Sequence, residues 1–311
     1  MKNTKFKIKH LLSITLALII VLSMVSCELS DVTDITGDTG GGTKDVVNND
    51  TTDATDTTAD DSDSHATIDE KILFEYNGLV VRAKEIISDT IWGAGVKVNI
   101  ENNSDKDYGI GIRQAIVNNC MITELFSCTV AAGKKANDTI YLSSSSLMDA
   151  GISNIGQIEL YFYLYNPNTY QTEYETECIT IKTSHYDQMD TTVEDAGHVL
   201  YDENGVKIIG KYVDEYNLLG KAIVLYISNS RDENIVVSCD DLSINGYMVS
   251  SLLSSTIYAN KYIIDDIIIL SADLEENGIT EINDFALKFR VYNANTYQTI
   301  FTTNELSFSV E

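Results

Sequence analysis

The sequence predicts an all-β chain built from two tandem domains, and three observations carry that prediction. One proline in 311 residues, with 18 tyrosines and many Ile and Val, favours pleated strands over helices. Apolar and polar residues alternate with the period of two that a half-buried strand requires. Residues 165–172 (Tyr-Asn-Pro-Asn-Thr-Tyr-Gln-Thr) return almost unchanged as residues 292–299 (Tyr-Asn-Ala-Asn-Thr-Tyr-Gln-Thr), 127 positions later.

At that same offset the matches run through both halves without a net gap. Asn77 and Gly78 align with Asn204 and Gly205, Gly93 with Gly220, Ile100 with Ile227, Asn118 with Asn245, Met121 with Met248, and Gly151 with Gly278. A duplicated segment explains this, and 311 residues at 44% hydrophobic content leave room for a core in each copy. Repeat 1 is placed at 70–183 and repeat 2 at 198–311, with an acidic linker at 184–197.

Strand faces follow from the alternation. Ile158, Leu160, Phe162 and Leu164 match Phe285, Leu287, Phe289 and Val291, so this face is core in each copy, while Glu159, Tyr161 and Tyr163 point away. Val96, Val98 and Ile100 match Ile223, Leu225 and Ile227. On the opposite face, however, Lys97, Asn99 and Glu101 become Val224, Tyr226 and Ser228. That asymmetry reads either as a covered face in repeat 2, against its neighbour, or as a locally apolar exposed strand.

Turn residues punctuate the strands. The two Asn-Gly pairs are tight-hairpin signals, because both central residues must take positive φ. Residues 166–171 read as a loop between the last two strands with Tyr170 at its tip, and Tyr297 is its twin. Ser146 with Asp149, and Asp273 with Glu276, suggest capping boxes for one short helical turn per repeat. Leu147 and Leu274 would anchor these turns, and Gly151 and Gly278 would end them. Seven or eight antiparallel strands in about 110 residues make each repeat an immunoglobulin-like β-sandwich.

The start of the chain is of a different kind. Lys2, Lys5, Lys7 and Lys9 precede an apolar run, residues 11–25, in the order of a secretory signal and too short for the roughly 20 residues of a spanning helix. The run closes on Leu22, Ser23, Met24, Val25, Ser26 and Cys27, which resembles a bacterial lipobox. The resemblance implies a signal peptide at 1–26, diacylglyceryl and palmitoyl-type acylation at Cys27, and membrane anchoring by two signals rather than one. Residues 27–69 then read as a disordered acidic tether, since residues 28–69 hold twelve Asp or Glu and a single lysine, Lys44.

Charge excludes some partners. Thirty-five acids against sixteen bases from residue 70 onward leave −19 on the repeats, so a phosphate backbone would be repelled and nucleic acid is an unsuitable partner. Asp61, Asp63 and His65 come nearest to a calcium loop, but Ala66 stands where glycine is required and Ile72 where the bidentate Glu should be.

Reactive constellations are missing from the pattern. Cys120, Cys128, Cys178 and Cys239 face Tyr247, Ser255, Glu305 and Ile112 in the other copy, so no disulfide was inherited by the duplication. Cys120 and Cys128, if on one strand, would lie too far apart to bond; a Cys128–Cys178 bridge stays open beside the alternative of small buried thiols. Neither repeat body holds a histidine, which leaves Ser-His or Cys-His catalysis unsupported, and no cofactor or metal set is apparent. The expectation is a non-enzyme.

Ligand-binding candidates are Trp92, the sole tryptophan, which could be a rim aromatic or a half-buried plug; Lys134 and Lys135 of a Gly-Lys-Lys loop; and Tyr170 and Tyr297. Tyr161, Tyr163 and Tyr170 could form a strip at one end of repeat 1.

Residues 100–106 (Ile-Glu-Asn-Asn-Ser-Asp-Lys), 131–138 (Ala-Ala-Gly-Lys-Lys-Ala-Asn-Asp) and 244–248 (Ile-Asn-Gly-Tyr-Met) resemble those of immunoglobulin-like, telokin-like modules in lipoproteins of Gram-positive gut bacteria. The resemblance spans roughly 71–311 and implies the sandwich fold; it brings no catalytic residues. The second copy departs from it at residues 258–261, where the Gly-Lys-Lys loop is lost. Together these readings suggest an extracytoplasmic, membrane-anchored binding or adhesion module for an envelope protein or glycan, with an accessory subunit of an envelope complex and a calcium-dependent module as alternatives.

Overall fold

The computed structural model describes residues 66–89, 92–189 and 192–309. The expected signal at 1–26, Cys27 with its expected acylation, and most of the expected tether lie outside these residues.

Repeat 1 comprises β1 (Lys71–Tyr76), β2 (Leu79–Asp89), β3 (Gly93–Asn102), β4 (Tyr108–Val117), β5 (Cys120–Ile122), β6 (Glu124–Leu125), β7 (Ser127–Val130), β8 (Lys135–Leu142), helix α1 (Ser144–Asp149), β9 (Gln157–Tyr165), β10 (Thr172–Glu175) and β11 (Ile179–Lys182). Repeat 2 gives the same series 127 residues on. Its elements are β12 (His198–Glu203), β13 (Val206–Asp214), β14 (Gly220–Asn229), β15 (Ile235–Ile244), β16 (Tyr247–Met248), β17 (Ser251–Leu252), β18 (Ser254–Ile257), β19 (Lys261–Leu270), α2 (Ser271–Glu276), β20 (Asp284–Asn293), β21 (Thr299–Thr302) and β22 (Leu306–Ser309). The chain is all-β, two tandem immunoglobulin-like sandwiches with one short helix each. Each repeat has eleven strand segments rather than seven or eight, because strands expected to be continuous are broken: β10 and β11, for example, both pair with β9.

Three sheets form. One has five strands in the order β1-β2-β3-β8-β6, and another has six, with β16-β15-β20-β21 as its path. The largest has eleven strands and crosses both repeats, its path running β10-β9-β4-β5-β19-β14-β13-β12. The crossing point is a parallel bridge in which Cys120 and Met121 of β5 meet Tyr262 and Ile263 of β19.

Two cores result. Phe162, with Val81, Val96, Ile100 and Ile140, is fully buried in one; Phe289, with Ile227, Val237, Ile267 and Leu287, is fully buried in the other. They trade residues at the junction: Ile209, Tyr226 and Tyr262 of repeat 2 pack into the first cluster, Ile116 and Met121 of repeat 1 into the second. Val224 and Tyr226 are buried, so the apolar second face of β14 is covered by its neighbour, the first of the two readings above.

The local signals behave as their chemistry dictates in most places. Asn77 and Gly78 have φ of 45° and 89°, Asn204 and Gly205 of 55° and 78°, closing the expected hairpins. Gly151 and Gly278 terminate the helices, with Ile152 N–H and Ile279 N–H returning to Leu147 O and Leu274 O at 2.8 Å. The caps differ from expectation. Ser143, not Ser146, caps α1, its Oγ accepting from Ser146 N–H at 3.3 Å; α2 begins at Leu270 with no side-chain cap. The helices start at Ser144 and Ser271, two residues before the serine or aspartate that the motif favoured, α1 separated from β8 by Ser143 alone and α2 directly after β19.

Two open points are answered and one boundary is corrected. Cys178 is exposed and its thiol is free, so it forms no bridge to Cys128, and its Sγ lies 3.6 Å from Glu159 Oε2 instead. Cys120 and Cys128 lie on different strands, β5 and β7, not on one. The last residues assigned to the tether are docked: Thr67 and Ser184 exchange hydrogen bonds of 2.8 and 3.0 Å, and Ile68 packs on the first core.

Candidate functional site

In each sandwich the β2–β3 type of hairpin, the helix and the segment after it gather at one end. In repeat 1 they enclose a groove of about 1000 Å³. Ile86, Ile87, Ser88, Gly93 and Ala94 form one wall, Ser144, Leu147 and Met148 of α1 another, and residues 151–155 with His185 and Gln188 the third. The strands contribute Ile86, Ile87 and Ala94 beside Ser88, while hydroxyl, amide and imidazole groups come from the helix start and the loops, so the lining is mainly apolar on one side and polar on the other.

The polar wall is held in place. Asn118 takes Gly156 N–H and Gln157 N–H on its Oδ1, at 3.0 and 3.1 Å, and donates from Nδ2 to Asn154 O at 2.7 Å. Asn154 Oδ1 in turn lies 2.7 Å from His185 Nδ1. Thr183 Oγ1 donates to Ile155 O at 2.6 Å and accepts His185 N–H at 3.0 Å. Gly93, at φ 93°, lets this wall close: a Cβ there would fall 2.7 Å from Leu142 O.

Trp92 stands beside Gly93. Its ring centroid is 6.2 Å from that of Tyr141, and at 51% exposed it is half buried against that ring and half open to solvent.

The equivalent place in repeat 2 is occupied. Lys221 replaces Ala94 and Glu215 replaces Ser88; Lys221 Nζ donates to Thr280 O at 2.6 Å and pairs with Glu215. Leu219 takes the position of Trp92.

The other sequence candidates are not brought to the groove. Lys134 and Lys135 lie at the opposite end of β8, exposed, with Lys135 Nζ 3.0 Å from Glu101 Oε1. Tyr170 and Tyr297 cap their loops at φ 56° and are exposed. A tyrosine strip does exist, but it consists of Tyr163, Tyr165 and Tyr170, with centroid steps of 5.7 and 6.0 Å and Arg113 4.3 Å above Tyr163. Glycines below make room for it, since a Cβ on Gly109 would sit 2.2 Å from the Tyr165 ring. Tyr161 is elsewhere, edge-on to Tyr258 at the junction, 5.0 Å away.

Sequence reasoning passed over the junction as well. Lys261 Nζ, at the start of β19, reaches Glu159 Oε1 at 2.6 Å and Asn119 Oδ1 at 3.0 Å, with both charged side chains largely buried. The lost Gly-Lys-Lys loop is explained here, because residues 258–261 are spent on this contact. A cleft of about 320 Å³ lies alongside, lined by Arg113, Glu124, Ile263 and Asp265 among others. Burial pushes the Glu124 carboxyl up to about 7, and its buried Oε2 has no hydrogen-bond partner among the described residues. Burial, with Asp265 beside it, raises Asp266 to about 6. Among the described residues no group of three or more His, Cys, Asp or Glu could hold a metal ion, and no helix is long and apolar enough to cross a membrane.

No family model and no curated protein matches the chain. Among solved structures, red sea bream transglutaminase is similar at 12% identity and a TM-score of 0.19. The match covers 76% of this chain but about a third of that one, 32%, and likeness at this level carries no argument.

Proposed function

We propose that the chain is a lipid-anchored, extracytoplasmic binding module that holds an envelope glycan in the groove of repeat 1 without turning it over. The lipobox-like residues ending at Cys27 and the acidic stretch after them support the anchor and the spacer. The resemblance to modules of Gram-positive lipoproteins supports the same setting.

The observation that carries the ligand class is a groove lined by aliphatic side chains and by Ser144, Ser153, Asn154, His185 and Gln188, with the half-exposed indole of Trp92 next in the chain to its wall residue Gly93. A pyranose ring has an apolar face suited to an indole and equatorial hydroxyls suited to such polar groups. The acidic surface favours neutral sugars over anionic ones.

The test is calorimetric titration of the protein with soluble neutral cell-wall oligosaccharides. Binding is expected in the wild type, reduced about tenfold or more by Trp92→Ala and abolished by Ala94→Lys, which copies the filler of repeat 2. Equal affinity in all three proteins would overturn the groove as the site, and release of cleaved sugar would overturn the non-enzymatic reading.

A further inference from the structure

We infer that the uncovered end of repeat 2 is a self-association surface through which two copies of this chain pair about a two-fold axis. The molecule contains its own template for what this surface does. In repeat 1 the β5 edge is covered by β19, leaving Cys120 and Met121 1% and 2% exposed. The equivalent edge in repeat 2 is β16, which pairs with β15 alone and leaves Tyr247 52% and Met248 65% exposed.

The loop between β13 and β14 stands at the same end and adds Tyr216 and Leu218, 94% and 96% exposed. Hydrogen bonds tie the loop to the edge. Ser271 N–H donates to Leu219 O at 3.0 Å, and Asp273 of the same helix accepts Ser250 N–H, two residues past β16, at 2.6 Å. Two ion pairs lie nearby, Glu215 with Lys221 and Asp241 with Lys288 at 2.8 Å. This end of repeat 2 therefore carries four exposed large apolar side chains beside a strand edge that β15 alone pairs, a combination that soluble chains otherwise blunt.

The occupant follows from what the rest of the chain offers. A head-to-tail contact would repeat the internal junction and seat β16 on the free β8 edge of the next copy. The positions that in repeat 2 are Tyr226, Tyr262 and Ile264 are in repeat 1 Asn99, Lys135 and Asn137, which cannot reproduce that apolar contact. The patch is its own best complement: a two-fold axis sets one β16 antiparallel to the other and apposes the tyrosines and leucines, an isologous contact. Among the described residues the one twin of the β16 edge is β5, which is buried at the junction, so pairing of β16 with β16 closes at two. Burying the four side chains removes roughly 600–700 Å² per copy, near the about 800 Å² each partner gives to a standard specific interface.

The test is sedimentation equilibrium of the full chain in density-matched non-ionic detergent, at about 10 μM, within the range such interfaces span. A dimer is expected, with Leu218→Asp and Met248→Glu each weakening it by about 30-fold or more and Tyr170→Asn, at the far end of repeat 1, leaving it unchanged. Leu218 lies in solvent, so its replacement spares the fold; unchanged melting of that variant confirms this. A monomer in the wild type, an open-ended mass series, or dimers indifferent to both patch variants would each overturn the proposal.

Discussion

Where β2 turns into β3, Ala94 and Ser88 leave a groove; where β13 turns into β14, Lys221 and Glu215 pair across the same space. The backbone is alike at both places, down to the glycine that opens each following strand and the helix that flanks it. The free edges show the reverse bias. Repeat 1 surrenders its β5 edge to repeat 2 and keeps a groove, while repeat 2 fills its groove and keeps its edge. A duplicated frame leaves both copies with the same core constraints, and two or three substitutions at one end leave an open groove in one copy and an ion pair in the other.

Three interventions would break or sharpen this comparison, taken from the largest expected effect. Phe162 and Phe289 are fully buried twins. If the two cores are equivalent, Phe162→Ala and Phe289→Ala should each cost about 3–5 kcal/mol in denaturant unfolding, and a difference of more than about 2 kcal/mol would show that one core dominates.

The junction comes next. Glu159→Gln strips the buried Lys261 of its counter-charge and should cost about 3 kcal/mol, whereas Lys134→Met, at the position of Lys261 in repeat 1, should cost under about 0.5 kcal/mol because Lys134 is solvated. Similar values for the two, read from the same unfolding curves, would remove the distinction between a docked and an undocked edge.

The smallest effect is on pH. Burial raises the Glu124 carboxyl from 4.5 to about 7, so the folded state prefers the neutral acid. The stability this group contributes is present in full below about pH 4.5, declines as pH rises and is gone above about pH 7. Its counterpart in repeat 2 is Ser251, so this part of the slope should come from repeat 1. Glu124→Gln should flatten calorimetric Tm between pH 5 and 7 and raise it by about 2–4 °C at pH 8, a figure already reduced for partial solvent screening. An unaltered slope in that variant would point to Asp266, which burial raises to about 6.

The legible part of this fold was local or repeated. Alternation around Phe162 and Phe289, the two Asn-Gly hairpins and the helix-ending glycines each rest on a few neighbouring residues, and comparing the copies cancels chance patterns. The asymmetry at Val224 and Tyr226 was visible for the same reason. What escaped depended on distance along the chain. The β5–β19 bridge joins residues 142 positions apart in a parallel sense, and no turn signal announces such a pairing. The groove was hidden differently: Ala94 and Ser88 are unremarkable residues, and the cavity is the absence of a lysine that can be noticed once Lys221 is seen spanning its own repeat. Lys134, Lys135, Tyr170 and Tyr297 drew notice as exposed functional-group types, but exposure alone says nothing of convergence, and they lie away from Trp92.

Trp92 is the chain's single indole, and it is next in the chain to Gly93 of the groove wall, with Tyr141 centred 6.2 Å away. Intrinsic emission excited at the red edge therefore originates at that one spot, and excitation absorbed by Tyr141 is close enough to be handed to it. Any molecule that enters the groove should shift the colour or quench the yield of this emission, while events confined to repeat 2 pass unseen. The protein carries a built-in optical reporter for one of its two halves.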